Sequence, residues 1–381
     1  MRFFKKAVLP QGFKANGLAC GIKRSGKLDL ALFVSEVSAK VSCQFTSNKL
    51  QAAPIVLSRR YLKESSIFRA VIVNSGNANC FNGEAGLRDA ELVAQKTAEA
   101  LKSHKKSVLV SSTGIIGRRL PVSKITASIP QLVNGLTLSG INKAKKAILT
   151  TDNFTKEFSV KFNIKGRPVT ICGVSKGAGM IAPCLSRHAT MLAFIFTDAA
   201  VSQAALNRAL SVSVENSFNS ITVDGCMSTN DMVVLMANGV SKNKLIDKGK
   251  EMILFQKALD KVCLELAKSI VKDAEGATKF IEIRVEKARG RIQAKKAALA
   301  VANSNLFKAA MFGENPNFGR IAAAIGSSGI EVKEKDIRIR VSPLDKKYIR
   351  VNISLNTGGA EALSYTSDLT PEYVRINAEY S

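Results

Sequence analysis

Residues 173–198 read GVSKGAGMIAPCLSRHATMLAFIFTD, and this stretch governs how the rest of the chain is interpreted. Gly177, Gly179 and Pro183 mark a loop, after which a β-forming run, TMLAFIFT, begins abruptly at Thr190. A threonine at the start of a strand is ordinarily just a β-former. Cleavage of the Ala189–Thr190 bond would change its chemistry, because the new α-amine, with a pKa near ~8, could take the proton of its own side-chain hydroxyl.

Strand-like and helical segments are mixed on both sides of this stretch. Hydrophobic periodicity and turn residues predict strands at 27–34, 41–46, 69–73, 107–111, 278–286, 336–342, 348–355 and, at the chain end, 373–381 (YVRINAEYS). Helical spacing predicts helices at 85–102, 202–217, 250–272 and 294–311. This mixture indicates an α+β or mixed α/β class, and the 381 residues suffice for two or three domains.

The composition excludes several classes of function. The net charge is +26, but the basic residues are dispersed and aromatics make up only 6%, so we expect no nucleic-acid partner. A site for acidic substrates and a lysine-rich solvated surface both remain open as explanations. Seven scattered cysteines without a C-x-x-C pair argue against metal and disulfide frameworks. Without a run of 18 apolar residues we expect no membrane contact and a cytoplasmic protein.

Two motifs invite a functional interpretation that the residues alone do not support. GIKRSGK (21–27) approaches a phosphate-binding loop, but Leu28 follows where a serine or threonine would hold magnesium, and no clear strand precedes it. A histidine-based triad would have to use His104, which we expect to be solvated at a basic helix end, or His188. An enzyme built from this sequence therefore needs another general base, and an N-terminal amine is one.

The cluster SSTGIIGRRLP (111–121) offers a possible oxyanion hole. Gly114 and Gly117 let the backbone turn and approach a ligand closely, and adjacent amides of such a turn can stabilise a developing negative charge. An ordinary glycine turn is the alternative.

Taken together, the motifs resemble one family over nearly the entire chain. The matching segments are GIKRSGKLDLALF, NSGNANCFNG, SSTGIIGRRLP, AILTTDNFTK, KGAGMIAP…ATMLAFIFTDA, NSFNSITVDG…STND, AEGATKFIEI, NPNFGRIAAAIGSSG and YVRINAEY. In this order and spacing they are similar to the ornithine acetyltransferases, or glutamate N-acetyltransferases, of arginine biosynthesis.

The resemblance implies a fold, a maturation step and a reaction. The fold would be a four-layer αββα sandwich related to self-processing aminopeptidases. Self-cleavage would separate an α chain, residues 1–189, from a β chain, residues 190–381, which assemble as α2β2. Thr190 would then take the acetyl group of N-acetylornithine and pass it to glutamate, without a cofactor, and acetyl-CoA is a possible second donor.

The resemblance also assigns site residues by position. Thr113 and Gly114 match the oxyanion-hole pair, and Lys176 matches a lysine that contacts the substrate. Thr151, with Thr150 as the alternative, matches a substrate-contacting threonine. Glu275 would hold the amino group of ornithine or N-acetylornithine.

The C-terminal part of the pattern implies two more substrate contacts. Asn377 matches the family's C-terminal asparagine, so the chain end should fold back into the site. Ser381 stands four residues beyond it, where the family commonly has Thr or Ser five residues beyond.

Three departures from the family pattern keep other functions open. CLSRH (184–188) fills a gap that usually holds two residues, Cys226 and Met227 replace an acidic and a hydroxyl residue, and the chain end is one residue short. An unprocessed inactive member and a related N-terminal-nucleophile hydrolase are therefore the alternatives.

Overall fold

The computed structural model describes residues 1–182 and 191–379. The strands are β1 Arg2–Phe4, β2 Phe13–Leu18, β3 Leu30–Phe45, β4 Ile67–Asn77, β5 Val108–Ile115, β6 Lys156–Ile164, β7 Arg167–Lys176, β8 Leu192–Thr197, β9 Met232–Ala237, β10 Phe280–Ala288, β11 Arg338–Val341, β12 Tyr348–Ser354 and β13 Ala360–Ser367. The α-helices are α1 Ala53–Glu64, α2 Gly83–Ala100, α3 Val122–Asn134, α4 Ile141–Ala147, α5 Gln203–Glu215, α6 Gly249–Lys272, α7 Arg291–Asn303, α8 Asn305–Phe312, α9 Phe318–Gly326 and α10 Pro371–Glu379.

A nine-stranded mixed sheet carries most of the molecule, in the order β1-β6-β7-β8-β9-β3-β4-β5, with β2 also paired to β3. The sheet turns within β3, whose pairing shifts between Val34 and Ala39. Before the shift β3 pairs with β2 and β4, and after it β3 pairs with the first residues of β4 and then with β9. The two strands predicted at 27–34 and 41–46 are thus one long strand interrupted by an irregularity, a feature that commonly bends a sheet.

The bend brings two halves of the sheet face to face. Phe33 of β3 packs against Phe194 and Phe196 of β8, with ring centroids 5.3 and 5.1 Å apart. Helices α1 and α2 pack on β5, outside one half, and α6 packs on β6 and β7, outside the other. The order is helix, sheet, sheet, helix, which confirms the predicted αββα sandwich of mixed α+β class.

A smaller four-stranded sheet, β11-β12-β10-β13, forms a separate hydrophobic cluster with α7, α8 and α9. Helix α6 also contacts β13, so this unit is attached beside the long helix of the sandwich.

Most of the predicted elements are present, with two corrections. The predicted strand at 373–381 is wrong over its described part, because helix α10 occupies Pro371–Glu379. The helix predicted at 294–311 is two helices, α7 and α8, divided at Ser304. That serine caps α8 by accepting a hydrogen bond from the Phe307 amide at 3.2 Å.

The near-match to a phosphate-binding loop has a strand before it after all, because β2 ends at Leu18. No helix follows it, however, since residues 21–27 lead into strand β3. The resemblance to a phosphate-binding loop therefore fails on Leu28 and on the absence of a helix after residues 21–27, and the expectation that no strand precedes them is wrong.

Other expectations about single residues are confirmed. His104 is exposed, as predicted, while Cys172 and Cys263 are buried in apolar surroundings. In the described part of the chain, no helix is both long enough and apolar enough to cross a membrane.

Candidate active site

A cavity of about 110 Å³ gathers residues from distant parts of the chain. All of the predicted site residues that the structure describes line it: Thr113, Gly114, Thr150, Thr151, Lys176, Glu275 and Asn377. They belong to five segments that lie far apart in the sequence and meet where strands β5 and β7 end.

The Thr113–Gly114 pair sits at the end of β5, beside the parallel strand β4. Gly114 has a φ of +131°, and a Cβ atom there would lie 2.4 Å from the carbonyl carbon of Gly76. Only glycine fits this position, because both the dihedral angle and the neighbouring backbone exclude a side chain. The close approach of two backbones leaves Gly114 lining the cavity with its main chain alone.

Asn230 fixes the same strand end from the other side, and sequence reasoning had not singled it out. Its Nδ2 donates to the carbonyl oxygens of Ala78 (2.6 Å) and Ser112 (2.9 Å). Because it lines the cavity as well, Asn230 ties the backbone next to Thr113 to the wall of the site. The S-T-N-D segment was its only sequence signal.

Asp152 connects the turn that carries Thr151 to the loop after Lys176. Its carboxylate accepts hydrogen bonds from the amides of Thr150 (2.9 Å) and Gly177 (2.7 Å) and from Nζ of Lys156 (2.7 Å). Burial would raise the pKa of Asp152, but Lys176, Lys156 and the Gly177 amide outweigh it and hold the pKa well below its usual range.

Lys176 ends β7, where it pairs with Leu192 of β8. Its side chain is 6% accessible, and its Nζ lies 4.0 Å from Oδ2 of Asp152. Burial lowers the pKa of Lys176, although Asp152 and Glu275 oppose the shift. Because Lys176 shares Asp152 with the closer Lys156, it is an incompletely compensated cation facing the cavity and suited to a negatively charged ligand.

Glu275 and Asn377 meet on the opposite wall. Nδ2 of Asn377 donates to Oε2 of Glu275 at 3.0 Å, so the chain end does fold back to the cavity, as part of helix α10. The position of the Glu275 side chain requires a glycine at residue 179, because a Cβ atom on Gly179 would lie 2.1 Å from Oε2 of Glu275. The second glycine of K-G-A-G thus leaves room for a carboxylate side chain.

Asp224 holds helix α10 and the end of the K-G-A-G-M-I loop together. Its carboxylate accepts hydrogen bonds from the amides of Met180 (2.6 Å) and Ile181 (2.9 Å) and from the hydroxyl of Tyr373 (3.3 Å). Cys226, one of the departures from the family pattern, is exposed, and its thiol lies 3.5 Å from the Asp224 carbonyl oxygen. The D-G-C-M segment therefore retains a polar network centred on Asp224.

Asp231 is a buried acid that the sequence had not indicated. It directly precedes β9, next to Met191, whose carbonyl accepts the Met232 amide at 3.0 Å. Within residues 1–182 and 191–379, neither carboxylate oxygen makes a hydrogen bond of ordinary geometry. Burial raises the pKa of Asp231 well above its usual range, although the nearby Met191 amide and Lys176 oppose the shift.

Ala189, Thr190 and Ser381 lie outside the described residues, as does the 184–188 segment. The described chain resumes at Met191, which is buried and packs near Gly177, since a Cβ atom there would lie 3.6 Å from its own Cβ. The residue after the predicted nucleophile thus adjoins the loop that follows Lys176. The roles predicted for Thr190, Ala189 and Ser381 stay predictions.

The αββα sandwich carries, at the ends of β5 and β7, a polar cavity lined by a lysine, a glutamate and a glycine turn, which is the layout of an enzyme site for a charged small molecule. The chain belongs to the ArgJ family, whose model matches residues 14–381, so the family predicted from the sequence is confirmed. It is an acyltransferase of arginine biosynthesis.

Two relatives of similar length support this membership. The arginine biosynthesis bifunctional protein ArgJ of Caldanaerobacter subterraneus subsp. tengcongensis is 43% identical over 98% of each chain. The glutamate N-acetyltransferase of Methanocaldococcus jannaschii is 42% identical over 98% of this chain and 97% of its own. A solved structure of ornithine acetyltransferase from Mycobacterium tuberculosis, complexed with ornithine, is 39% identical over 48% of this chain and 98% of that one, with a TM-score of 0.45.

Proposed function

We propose that the chain cleaves itself before Thr190 and then transfers acetyl groups from N-acetylornithine to glutamate through an acetyl-Thr190 ester. The observation that carries the proposal is the convergence of Thr113, Gly114, Lys176, Glu275 and Asn377 around one cavity. These residues were assigned by position in a linear pattern, and chance alone would scatter them over the surface.

Maturation would begin with attack of the Thr190 hydroxyl on the Ala189 carbonyl carbon. The C–N bond breaks, the amine takes the hydroxyl proton, and an ester joins the two chains until water hydrolyses it. The products are a carboxylate at Ala189 and a free α-amine at Thr190. That amine, with an unperturbed pKa near ~8, supplies the general base that the two histidines do not.

Transfer would follow in two halves. The Thr190 oxygen attacks the acetyl carbon of N-acetylornithine, the amide C–N bond breaks, and ornithine leaves with a proton. The amine of glutamate then attacks the acetyl ester and releases the Thr190 hydroxyl. Both steps pass through a tetrahedral oxyanion, which amides at Thr113 and Gly114 would stabilise.

The walls of the cavity fit the charges of these substrates. The incompletely compensated cation at Lys176 suits a substrate carboxylate, and the carboxylate at Glu275 suits an amino group. Thr151, or Thr150, would add a hydroxyl contact, and Ser381 a further one. We further infer that acetyl-CoA serves as a second acetyl donor, that the matured chains form an α2β2 assembly, and that it works in the cytoplasm.

The transfer assay with matched threonine variants tests this function. Wild-type protein should produce N-acetylglutamate from N-acetylornithine and glutamate, and Thr190→Ala should produce none. Thr126→Ala removes an equivalent hydroxyl from the outer side of α3, where it bonds only to carbonyls of its own helix, and should match wild type. Release of acetate without acetylglutamate would overturn the transferase in favour of a hydrolase.

A further inference from the structure

An asparagine-rich turn lies beside the oxyanion hole of the proposed reaction, which gives this turn no part. Residues 74–82 read NSGNANCFN, and they run from the end of β4 alongside the end of β5. The Ala78 amide donates to the carbonyl oxygen of Ile115 at 3.0 Å. The Gly117 amide donates to the carbonyl oxygen of Cys80, also at 3.0 Å. The two segments are therefore bonded to each other through their main chains.

The asparagine side chains of this turn bind β5 and the segment that follows it. Nδ2 of Asn77 donates to the carbonyl oxygens of Arg118 (3.1 Å) and Arg119 (3.2 Å). Oδ1 of Asn74 accepts the hydroxyl of Ser112 at 2.6 Å. A side-chain amide both donates and accepts but carries no charge, so it fixes a backbone without adding an ion where negative charge is to develop. The turn is thus suited to support uncharged backbone donors.

Asn230 joins the two segments from a third one, two residues before β9. Its Nδ2 donates one hydrogen bond to each segment, to the carbonyl oxygens of Ala78 at 2.6 Å and Ser112 at 2.9 Å. Its Oδ1 accepts the hydroxyl of Thr229 at 2.6 Å, and its own amide donates to Oγ of Ser228 at 3.0 Å. With only 5% of its surface exposed, the side chain is held at both ends of its amide group.

The bond to Ser112 fixes the peptide group that carries the Thr113 amide. A trans peptide is planar, so the direction of the Ser112 carbonyl sets the direction of the Thr113 N–H on the other side of the same plane. Gly114 follows directly, with its main chain confined against Gly76. Donors of an oxyanion hole are effective because they already point at the place where charge develops. Asn230 therefore stands where it can set the geometry of both predicted donors.

We infer that Asn230 is a positioning residue for the oxyanion hole, acting on Thr113 and Gly114 through the backbone at Ser112 and Ala78. This inference rests on the proposed function, since the oxyanion concerned is the one that forms in acetyl transfer. A displaced donor weakens binding of the tetrahedral oxyanion and leaves binding of the substrate as it was. The expected signature is a lower kcat at an unchanged KM.

Kinetics of ornithine release from N-acetylornithine, with glutamate present, test the inference on protein whose cleavage has been checked by intact mass. Asn230→Leu keeps the approximate shape of the side chain and removes its donor. We expect kcat to fall roughly a hundredfold, as for the loss of one oxyanion-hole donor, and KM to stay within about twofold.

Thr229→Val is a milder second variant, which carries the test if Asn230→Leu fails to fold or to mature. It removes only the hydroxyl that holds Oδ1 of Asn230, and Thr229 lies outside the lining of the cavity. We expect the same pattern on a smaller scale, with kcat reduced a few-fold and KM unchanged.

Asn243→Leu is the matched control, because Asn243 is also 5% exposed and lies outside the cavity. Its Nδ2 likewise donates to two carbonyl oxygens, those of Ala200 (3.2 Å) and Lys244 (2.7 Å). Measured per matured chain, the kcat of this variant should equal that of wild type.

Replacing the acetyl oxygen by sulfur supplies a measurement that a merely structural role would not move. Sulfur accepts hydrogen bonds weakly, so an intact oxyanion hole favours N-acetylornithine over N-thioacetylornithine more than a displaced one does. The ratio of the two kcat values should shrink about tenfold in Asn230→Leu and keep its wild-type value in Asn243→Leu. The intrinsic reactivities of the two donors cancel in this comparison between variants.

Four results would overturn the inference and leave the proposed function standing in a wild type that transfers acetyl groups. They are an unchanged kcat in each matured variant of Asn230 and Thr229, a rise in KM alone, an equal loss in Asn243→Leu, and an unchanged oxygen-to-sulfur ratio. Release of acetate in place of N-acetylglutamate, with kcat still dependent on Asn230, overturns the transferase and supports the positioning role. A wild type that releases no ornithine overturns both.

Discussion

Gly179 controls the position of Glu275, and so a single methyl group should alter substrate binding without disturbing the fold. In Gly179→Ala the new Cβ atom would lie 2.1 Å from the Glu275 carboxylate, which must swing away and lose its bond from Asn377. We expect KM for N-acetylornithine to rise about tenfold, equivalent to ~1.4 kcal/mol of binding free energy. Steady-state kinetics with N-acetylornithine as the varied substrate measure this change in KM.

The control for that variant is Gly326→Ala at the end of α9, where a Cβ atom would meet open space. Its KM should not change, and both variants should melt within a few degrees of wild type. An unchanged KM in Gly179→Ala would show that Glu275 has no part in binding the amino group.

Ionisation of the buried Asp231 carboxylate should lower the free energy of unfolding as pH rises. Its pKa is raised in the folded protein, so the stability linked to it is fully present below the unfolded value near 3.8 and is lost as pH climbs toward the folded pKa. Each pH unit within that window lowers the free energy of unfolding by at most ~1.4 kcal/mol. In Asp231→Asn this loss is absent, so the variant should gain stability relative to wild type between pH 4 and pH 7, measured by urea unfolding.

Asp345→Asn provides the comparison, because this exposed carboxylate pairs only with its neighbour Lys346. It should show no such gain with rising pH. A stability difference between Asp231→Asn and wild type that stays constant from pH 4 to pH 7 would mean that Asp231 is ionised in the folded protein.

Three elements are joined by one buried lysine. Lys156, at the start of β6, binds Asp152 of the T-T-D turn at 2.7 Å and Asp273 at the end of α6 at 2.5 Å, and none of these side chains is more than 1% accessible. Lys156→Ala removes the lysine that two buried carboxylates share and leaves Asp152 only the more distant Lys176, which should cost about 3–5 kcal/mol of unfolding free energy. Urea unfolding measures this cost.

Lys161→Ala tests the same chemistry on the exposed face of the same strand, and we expect a change within ~0.5 kcal/mol. Similar losses in the two variants would contradict the assignment of Lys156 as the ion that holds the Thr151 turn in place.

Element types were largely predictable from sequence, and their ends and interruptions were not. The α6 pattern is long and amphipathic, and the structure reproduces it within a residue. The segment YVRINAEYS alternates enough to suggest a strand, yet its described part, residues 373–379, lies in helix α10, where Tyr373 and Asn377 bond to Asp224 and Glu275. Such contacts join residues more than 100 positions apart, and local spacing carries no information on them.

The site was predictable only as a set of positions in a linear pattern. Thr113, Lys176 and Glu275 converge as expected, but nothing local in the sequence separates Asp231 or Asn230 from other polar residues near a turn. Asp231 stands out only once β8 and β9 are placed side by side and its carboxylate is enclosed without a hydrogen-bond partner among the described residues. Burial created by tertiary packing is the quantity that the sequence does not contain.

The whole molecule combines a sandwich with an attached smaller sheet, and the proposed self-cleavage would divide it into two chains. Separation at Ala189–Thr190 would leave β7 and β8 hydrogen-bonded as neighbours from different chains, and the sheet would hold them together. In light scattering under native conditions, an α2β2 assembly should have about twice the 40.9 kDa mass of one translated chain. A native mass equal to one chain would contradict the assembly.

The most direct test of the central claim is the intact mass of the denatured protein before and after brief exposure to N-acetylornithine. We predict two fragments, the second beginning at Thr190, and a gain of one acetyl group on that second fragment alone. In Thr190→Ala we predict a single uncut chain that gains nothing. A wild-type protein that stays uncut, or a cleaved and acetylated Thr190→Ala protein, would contradict Thr190 as the nucleophile.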